Sequence, residues 1–178
     1  MSNQPVTIIG FDPSLRNWGY CIATFDETNK QLEFHQGGVL HSKPDDLERQ
    51  NLKDLQSATQ LYNQLKGLVN EHKPKYLVAE LPVGSQSSRA MVSYATCICL
   101  SAVLAYADGS NTIPLLTVTP NQIKTTVANK RDTTKDEIID WVFTHYPNTQ
   151  HWLKDVPKTK QEHICDAIVA THIALLEG

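Results

Sequence analysis

Long apolar runs, clustered cysteines and an excess of positive charge are missing from this sequence, and each absence narrows what the chain can do. The longest apolar stretch, around Cys97–Ala107, is too short to cross a bilayer. The opening MSNQPVTIIGFD has no basic start followed by an apolar core, so no signal peptide is expected. The expectation is a cytoplasmic or nucleoplasmic protein with no membrane partner. The four cysteines, Cys21, Cys97, Cys99 and Cys165, form no CxxC pair and no zinc-finger spacing. They read as small buried thiols in a reducing compartment. The formal net charge of −3 counts against a chain that coats nucleic acid over most of its surface, because such proteins are basic. It leaves room for a local basic groove beside an acidic cluster. Repeats, linkers and low-complexity tracts are absent as well.

What is present is ordinary globular material. The chain has 178 residues, 40% hydrophobic and 20% charged, which suits a single α/β domain over residues 1–178. Val6–Asp12 reads as a strand ending in an Asp-Pro-Ser turn. Gly19–Asp26 and Gln31–His41 read as two more, the last interrupted by Gly37-Gly38. The period then lengthens. Leu47–Val69 predicts a helix with Leu55, Leu61, Leu65 and Leu68 at helical spacing. Lys75–Glu80 is a short apolar strand stopped by Pro82, and Ser88–Ala107 a long apolar helix. Leu115–Val118 is a strand, Pro120 opens a helix to about Ala128, and Thr134 caps a helix to His145. Pro147–Lys160 reads as a polar loop with Trp152, and Lys160–Leu176 as the last helix.

Three acidic residues sit where apolar residues are expected. Asp12 closes a strand on the face of Ile8 and Gly10, where it could also simply cap a turn. Glu80 ends YLVAE, and a charge there needs a partner, either a basic side chain or a cation. Asp166 interrupts ICDAIVA in the last helix, close to the buried side, with His163 three and Glu162 four residues before it. A boundary Asp on a helix surface is the plainer alternative. Hard oxygen ligands around an opening suit Mg²⁺ or Mn²⁺, and two such ions can activate a water and stabilise the leaving oxygen in phosphodiester hydrolysis.

Four segments in order carry a family resemblance over residues 6–176. They are IIGFDPSLRNWGYCI, YLVAELP, TPNQIKTTVANKRDTTKDEI and EHICDAIVATHIA. The chain resembles the RuvC-like Holliday junction resolvases of the RNase H-like nuclease superfamily. The resemblance implies an RNase H-like fold, a mixed five-stranded sheet with helices on both faces. It implies catalytic and metal-binding roles for Asp12, Glu80, His163 and Asp166, with two Mg²⁺ or Mn²⁺ ions and Glu162 as a competing ligand. The family's Pro and two Lys map onto Pro120, Lys124 and Lys135. In the family, a symmetric homodimer clamps a four-way junction and nicks two strands. Three positions depart from the pattern. Ser14 stands where the family usually has Gly, Val83 where some members carry an aromatic, and His163 where an acid is usual. ATPases that also end strand one in Asp need longer, two-lobed chains with phosphate loops, so no nucleotide cofactor is expected.

Arg16, Arg89, Lys124, Lys130, Arg131 and Lys135 are candidates for DNA contact, and Lys154, Lys158 and Lys160 follow, so that the lysines and Arg131 together could line one side of a cleft. For Lys130 and Arg131 a solvated surface role competes, since Asp132, Asp136 and Glu137 lie close by. The small and apolar residues of helix 88–107 cover more than one face, which fits burial in the monomer or a homodimer contact. The leading expectation is a structure-selective endonuclease acting on branched DNA. An RNase H-type hydrolase of RNA–DNA hybrids and an inactive junction-binding protein are the alternatives.

Overall fold

The structure is a computed structural model that describes residues 4–46, 49–106, 112–130 and 132–178. Five strands form one sheet in the order β3-β2-β1-β4-β5. They are β1 (Val6–Asp12), β2 (Asn17–Asp26), β3 (Gln31–His41), β4 (Tyr76–Glu80) and β5 (Leu115–Val118). β1, β2 and β3 pair antiparallel as a meander, while β4 and β5 add on parallel to β1. The sheet is therefore mixed. The helices are α1 (Gln50–His72), α2 (Ser88–Tyr106), α3 (Pro120–Ala128), α4 (Lys135–His145), α5 (Gln150–Leu153) and α6 (Lys158–His172).

Strand alternation divides the core in two. Ile8, Cys21 and Val78 point to one face, where they pack with Ile123, Ile139, Val142, Ile164 and Ile168 from α3, α4 and α6. Ile9, Phe11, Ile22, Leu77 and Ala79 point to the other, against Leu61 and Leu65 of α1 and Cys97 and Leu104 of α2. Helices thus cover both faces, the RNase H-like architecture that the resemblance implied.

Several local expectations change. α1 keeps Leu61 and Leu65 fully buried, but Leu55 is 63% exposed while Asp54 and Ser57 face inward. At helical spacing Asp54 and Ser57 share the face of Leu61 and Leu65, and Leu55 lies to one side of it; Arg89 of α2 reaches Asp54 there. Leu47, the expected start, lies outside the described residues, as does Ala107 at the far end of helix 88–107. Residues 147–160 are not a plain loop. Pro147–Thr149 makes a 3-10 turn, α5 follows, and α6 already starts at Lys158. Leu153 and Thr149 are buried there, and the Gln161 side-chain amide donates to the carbonyls of Leu153 and Val156. α6 stops at His172 and relaxes into a wider π turn over Ile173–Glu177. Thr134 does cap α4, in a reciprocal capping box with Glu137, and Thr119 does the same for α3 with Gln122.

α2 also corrects two expectations. Cys99 is exposed, whereas Cys21, Cys97 and Cys165 are buried. The apolar stretch was measured from Cys97, yet the whole helix is long and apolar enough by length and composition to cross a membrane. Its Cys97, Ser101, Leu104 and Ala105 side is nevertheless buried in the domain. Met91, Val92, Ile98, Val103 and Tyr106 remain exposed.

Candidate metal centre

The centre is assembled at one end of the sheet. Asp12 is the last residue of β1 and Glu80 the last of its parallel neighbour β4. Phe11 pairs with Ala79, so the next register step sets Asp12 beside Glu80. Both belong to the even-numbered face of their strands, the face that α6 covers.

Close seating of α6 supplies the third acid. A Cβ on Gly10 would lie 2.0 Å from the Thr171 hydroxyl, and one on Gly19 would lie 2.4 Å from the His163 carbonyl oxygen. Only a strand without side chains at those points lets the helix backbone come so near. Asp166 falls between these two contacts, on the face of α6 that meets β1. Carboxylate oxygens of Asp12, Glu80 and Asp166 all lie within 4.8 Å of one another.

Electrostatics makes this cluster costly without a cation. Burial, followed by the charges of Asp12 and Asp166, pushes the Glu80 carboxyl well above the usual carboxylate range. Burial and then Asp12 raise Asp166 in the same way, against the lowering influence of His163 and Lys135. Three desolvated oxygen donors at this spacing match what a hard divalent ion requires, so the donor set fits Mg²⁺ or Mn²⁺.

His163 and Glu162 separate cleanly. His163 Nδ1 donates to Asp12 Oδ2 at 2.6 Å, which raises the imidazole pKa. Glu162 instead forms an ion pair with Lys135. The imidazole is thus joined to the cluster and the Glu162 carboxylate is held at its rim.

Among the basic candidates, Lys124 lies near enough to Glu80 to lower its pKa, and Lys135, raised chiefly by its bond to Glu162, lies near enough to Asp166 and Asp12 to be raised further by them. Both border the centre. Lys130 is paired with Glu137 at 2.7 Å, the same Glu that closes the α4 capping box. Arg89 grips Asp54 of α1 through both guanidinium nitrogens and holds that carboxyl below its ordinary range. Arg16 acts on Asp54 from the β1–β2 turn. Arg131 lies outside the described residues. Sequence reasoning missed Asn17 and His41, which pair across β2 and β3 at the same end of the sheet and share a 2.9 Å hydrogen bond. The antiparallel register from Asp12 through Gly19 was the available signal.

Fold and site together define a metal-dependent nuclease of the RNase H-like class. The chain belongs to the RuvC family, the crossover junction endodeoxyribonucleases, whose profile matches residues 8–173. A comparison with curated proteins gives no sequence match. Among solved structures, Thermus thermophilus RuvC in complex with a Holliday junction substrate is similar at a TM-score of 0.69 and 16% identity, over 96% of this chain and 91% of that one. The yeast mitochondrial Holliday junction resolvase Ydc2 is similar at 0.62 and 15%, over 92% and 75%. The fowlpox virus Holliday junction resolvase follows at 0.60 and 12%, over 97% and 99%.

Proposed function

We propose that this protein resolves four-way DNA junctions, as a homodimer, by hydrolysing one phosphodiester in each of two strands with two Mg²⁺ or Mn²⁺ ions. The observation that carries the reading is the buried cluster of Asp12, Glu80 and Asp166 at adjoining strand ends. Asp12, Glu80 and Asp166 would hold the ions, with His163 completing the set through its contact with Asp12. When bound, such ions neutralise the phosphate and activate a water. The protein's own contribution is positional. Its carboxylates are fixed by strand ends and by α6, so little reordering accompanies binding. Lys124 and Lys135 at the border suit the phosphates next to the cut, and Arg16 the backbone beside the β1–β2 turn. Arg89 can join them only by leaving Asp54.

The exposed apolar residues of α2 support a two-fold contact between copies, and a second active site within reach would account for paired nicking. The resolvase similarities of the fold agree with branched DNA as partner.

The test is cleavage of a four-way junction, a linear duplex and an RNA–DNA hybrid, each with Mg²⁺, Mn²⁺ or EDTA. Junction cutting that needs metal is expected, with Asp12→Asn inactive but still binding DNA. Preferential hybrid cutting would replace this reading with an RNase H-type one, and full nicking by D12N would remove Asp12 from the metal site.

A further inference from the structure

A cavity of about 130 Å³ opens beside the metal centre, lined by Asn17, Val39, His41, Thr159, Lys160 and His163. We infer that it is a subsite for the backbone phosphate of a nucleotide flanking the cut, an inference that rests on the junction-cleaving reading above.

The place in the fold is the first argument. Asn17 opens β2 and His41 ends β3, paired across the sheet, while Asp12 pairs with Gly19 one strand over. The cavity is therefore one to two strand steps, roughly 5–10 Å, from Asp12 at the same end of the sheet. Thr159 and Lys160 stand four and three residues before His163 on α6, so one face of that helix serves both cavity and centre. Lys124 and Lys135 border the carboxylates from α3 and α4. A strand laid across the sheet end meets these lysines, then the carboxylates, then the cavity.

The chemistry of the lining is the second argument. Asn17, Thr159 and Lys160 bring an amide, a hydroxyl and an ammonium. His41 Nδ1 donates to Asn17 Oδ1, so its Nε2 serves a phosphate oxygen as a donor when the ring is protonated. No lining residue is acidic, so the cavity favours an anion over a cation. Lys160 shares with Lys124 and Lys154 a charge that no carboxylate meets among the described residues, whereas Lys130, Lys135 and Lys158 are each neutralised by one. An unpaired ammonium facing a donor-lined cavity beside a nuclease centre is suited to a phosphate oxygen.

The test pairs protein variants with neutralised phosphates. Four-way junctions would carry a single methylphosphonate, moved stepwise to either side of the cut. Affinity for the parent, Lys160→Ala and His41→Ala would be measured with Ca²⁺ over a range of salt. Asn17 and His163 stay intact, and all three proteins should melt alike because both changed side chains are exposed. One methylphosphonate position should weaken the parent by about 3–10-fold and leave K160A unaffected, with H41A intermediate. K160A should also lower the slope of log affinity against log salt by about one. If every position costs parent and variants equally while the parent binds and cuts junctions, the subsite assignment is wrong and the resolvase reading stands. A parent that binds no junction overturns both.

Discussion

Asp12 has two partners at once, the carboxylates of the cluster on one side and the His163 imidazole on the other. We propose on that ground that His163 rather than Glu162 serves the centre from α6. His163→Ala removes the group that orients Asp12 and should slow junction cleavage about 10–100-fold, as losses of ligand-orienting partners do. His163→Asp restores an acid beside Asp12, and its Mg²⁺ rate should rise relative to Mn²⁺, since imidazole is the softer ligand. Glu162→Ala frees Lys135 at the rim and leaves all three cluster carboxylates in place, so it should stay within about threefold of the parent, the scale of one ion pair near the surface. Rates for all three in both metals check this, and a dead E162A beside an unimpaired H163A would transfer the ligand role to Glu162. Asp12, Glu80 and Asp166 were legible in the sequence because each interrupts an apolar segment. The His163–Asp12 contact was not, because it joins residues 151 apart and exists only once α6 lies on β1.

α6 can lie there because β1 and β2 withdraw their side chains at Gly10 and Gly19. Gly10→Ala puts a methyl against the Thr171 hydroxyl and the Ala167 carbonyl, and α6 must lift away from the sheet. Overpacking of this kind costs about 1–3 kcal/mol. Melting should drop by about 2–4 °C per kcal/mol, and activity should fall further than stability because Asp166 moves with the helix. Unchanged melting and turnover in G10A would mean that the seating is looser than described. For α2, Ile98→Asp or Val103→Asp places a charge in the exposed apolar stripe and should shift sedimentation from dimer to a monomer near 19.9 kDa, with little change in melting. The five strands and five of the helices were readable in chain order from period and turn residues, whereas their order in the sheet and the short helix α5 were not. The phase of α1 was misread, since Leu55 was counted with Leu61 and Leu65 although polar Asp54 and Ser57 occupy their face. The folded segment at 147–160 was hidden because its polar residues serve internal bonds, such as Gln161 to Leu153 and Val156.

At the scale of the whole molecule, the centre makes stability depend on pH and metal together. Without metal, the folded protein holds protons on Asp166 up to about 7 and on Glu80 up to about 9, where an unfolded chain has released them near 4. The folded state then binds more protons than the unfolded state, so stability is greatest in acid and is lost as pH rises through that window. Melting of the EDTA-treated protein should therefore fall from pH 5 to pH 9, apart from general acid effects below that range. Mn²⁺ should restore more at pH 8 than at pH 6, and Glu80→Gln should melt higher than the parent at pH 8 in EDTA. A metal-free protein whose melting is flat over this range, with E80Q no more stable, would contradict a self-repelling cluster.

Calorimetric titration of Mn²⁺ into the metal-free protein asks whether Asp12, Glu80 and Asp166 together hold metal. The parent should bind two ions per chain with release of protons that shrinks as pH rises through neutral and the metal-free carboxyls lose their protons, and Asp166→Asn should lose most of that heat while remaining folded. Equal Mn²⁺ binding by parent and D166N, with no proton release, would contradict the account.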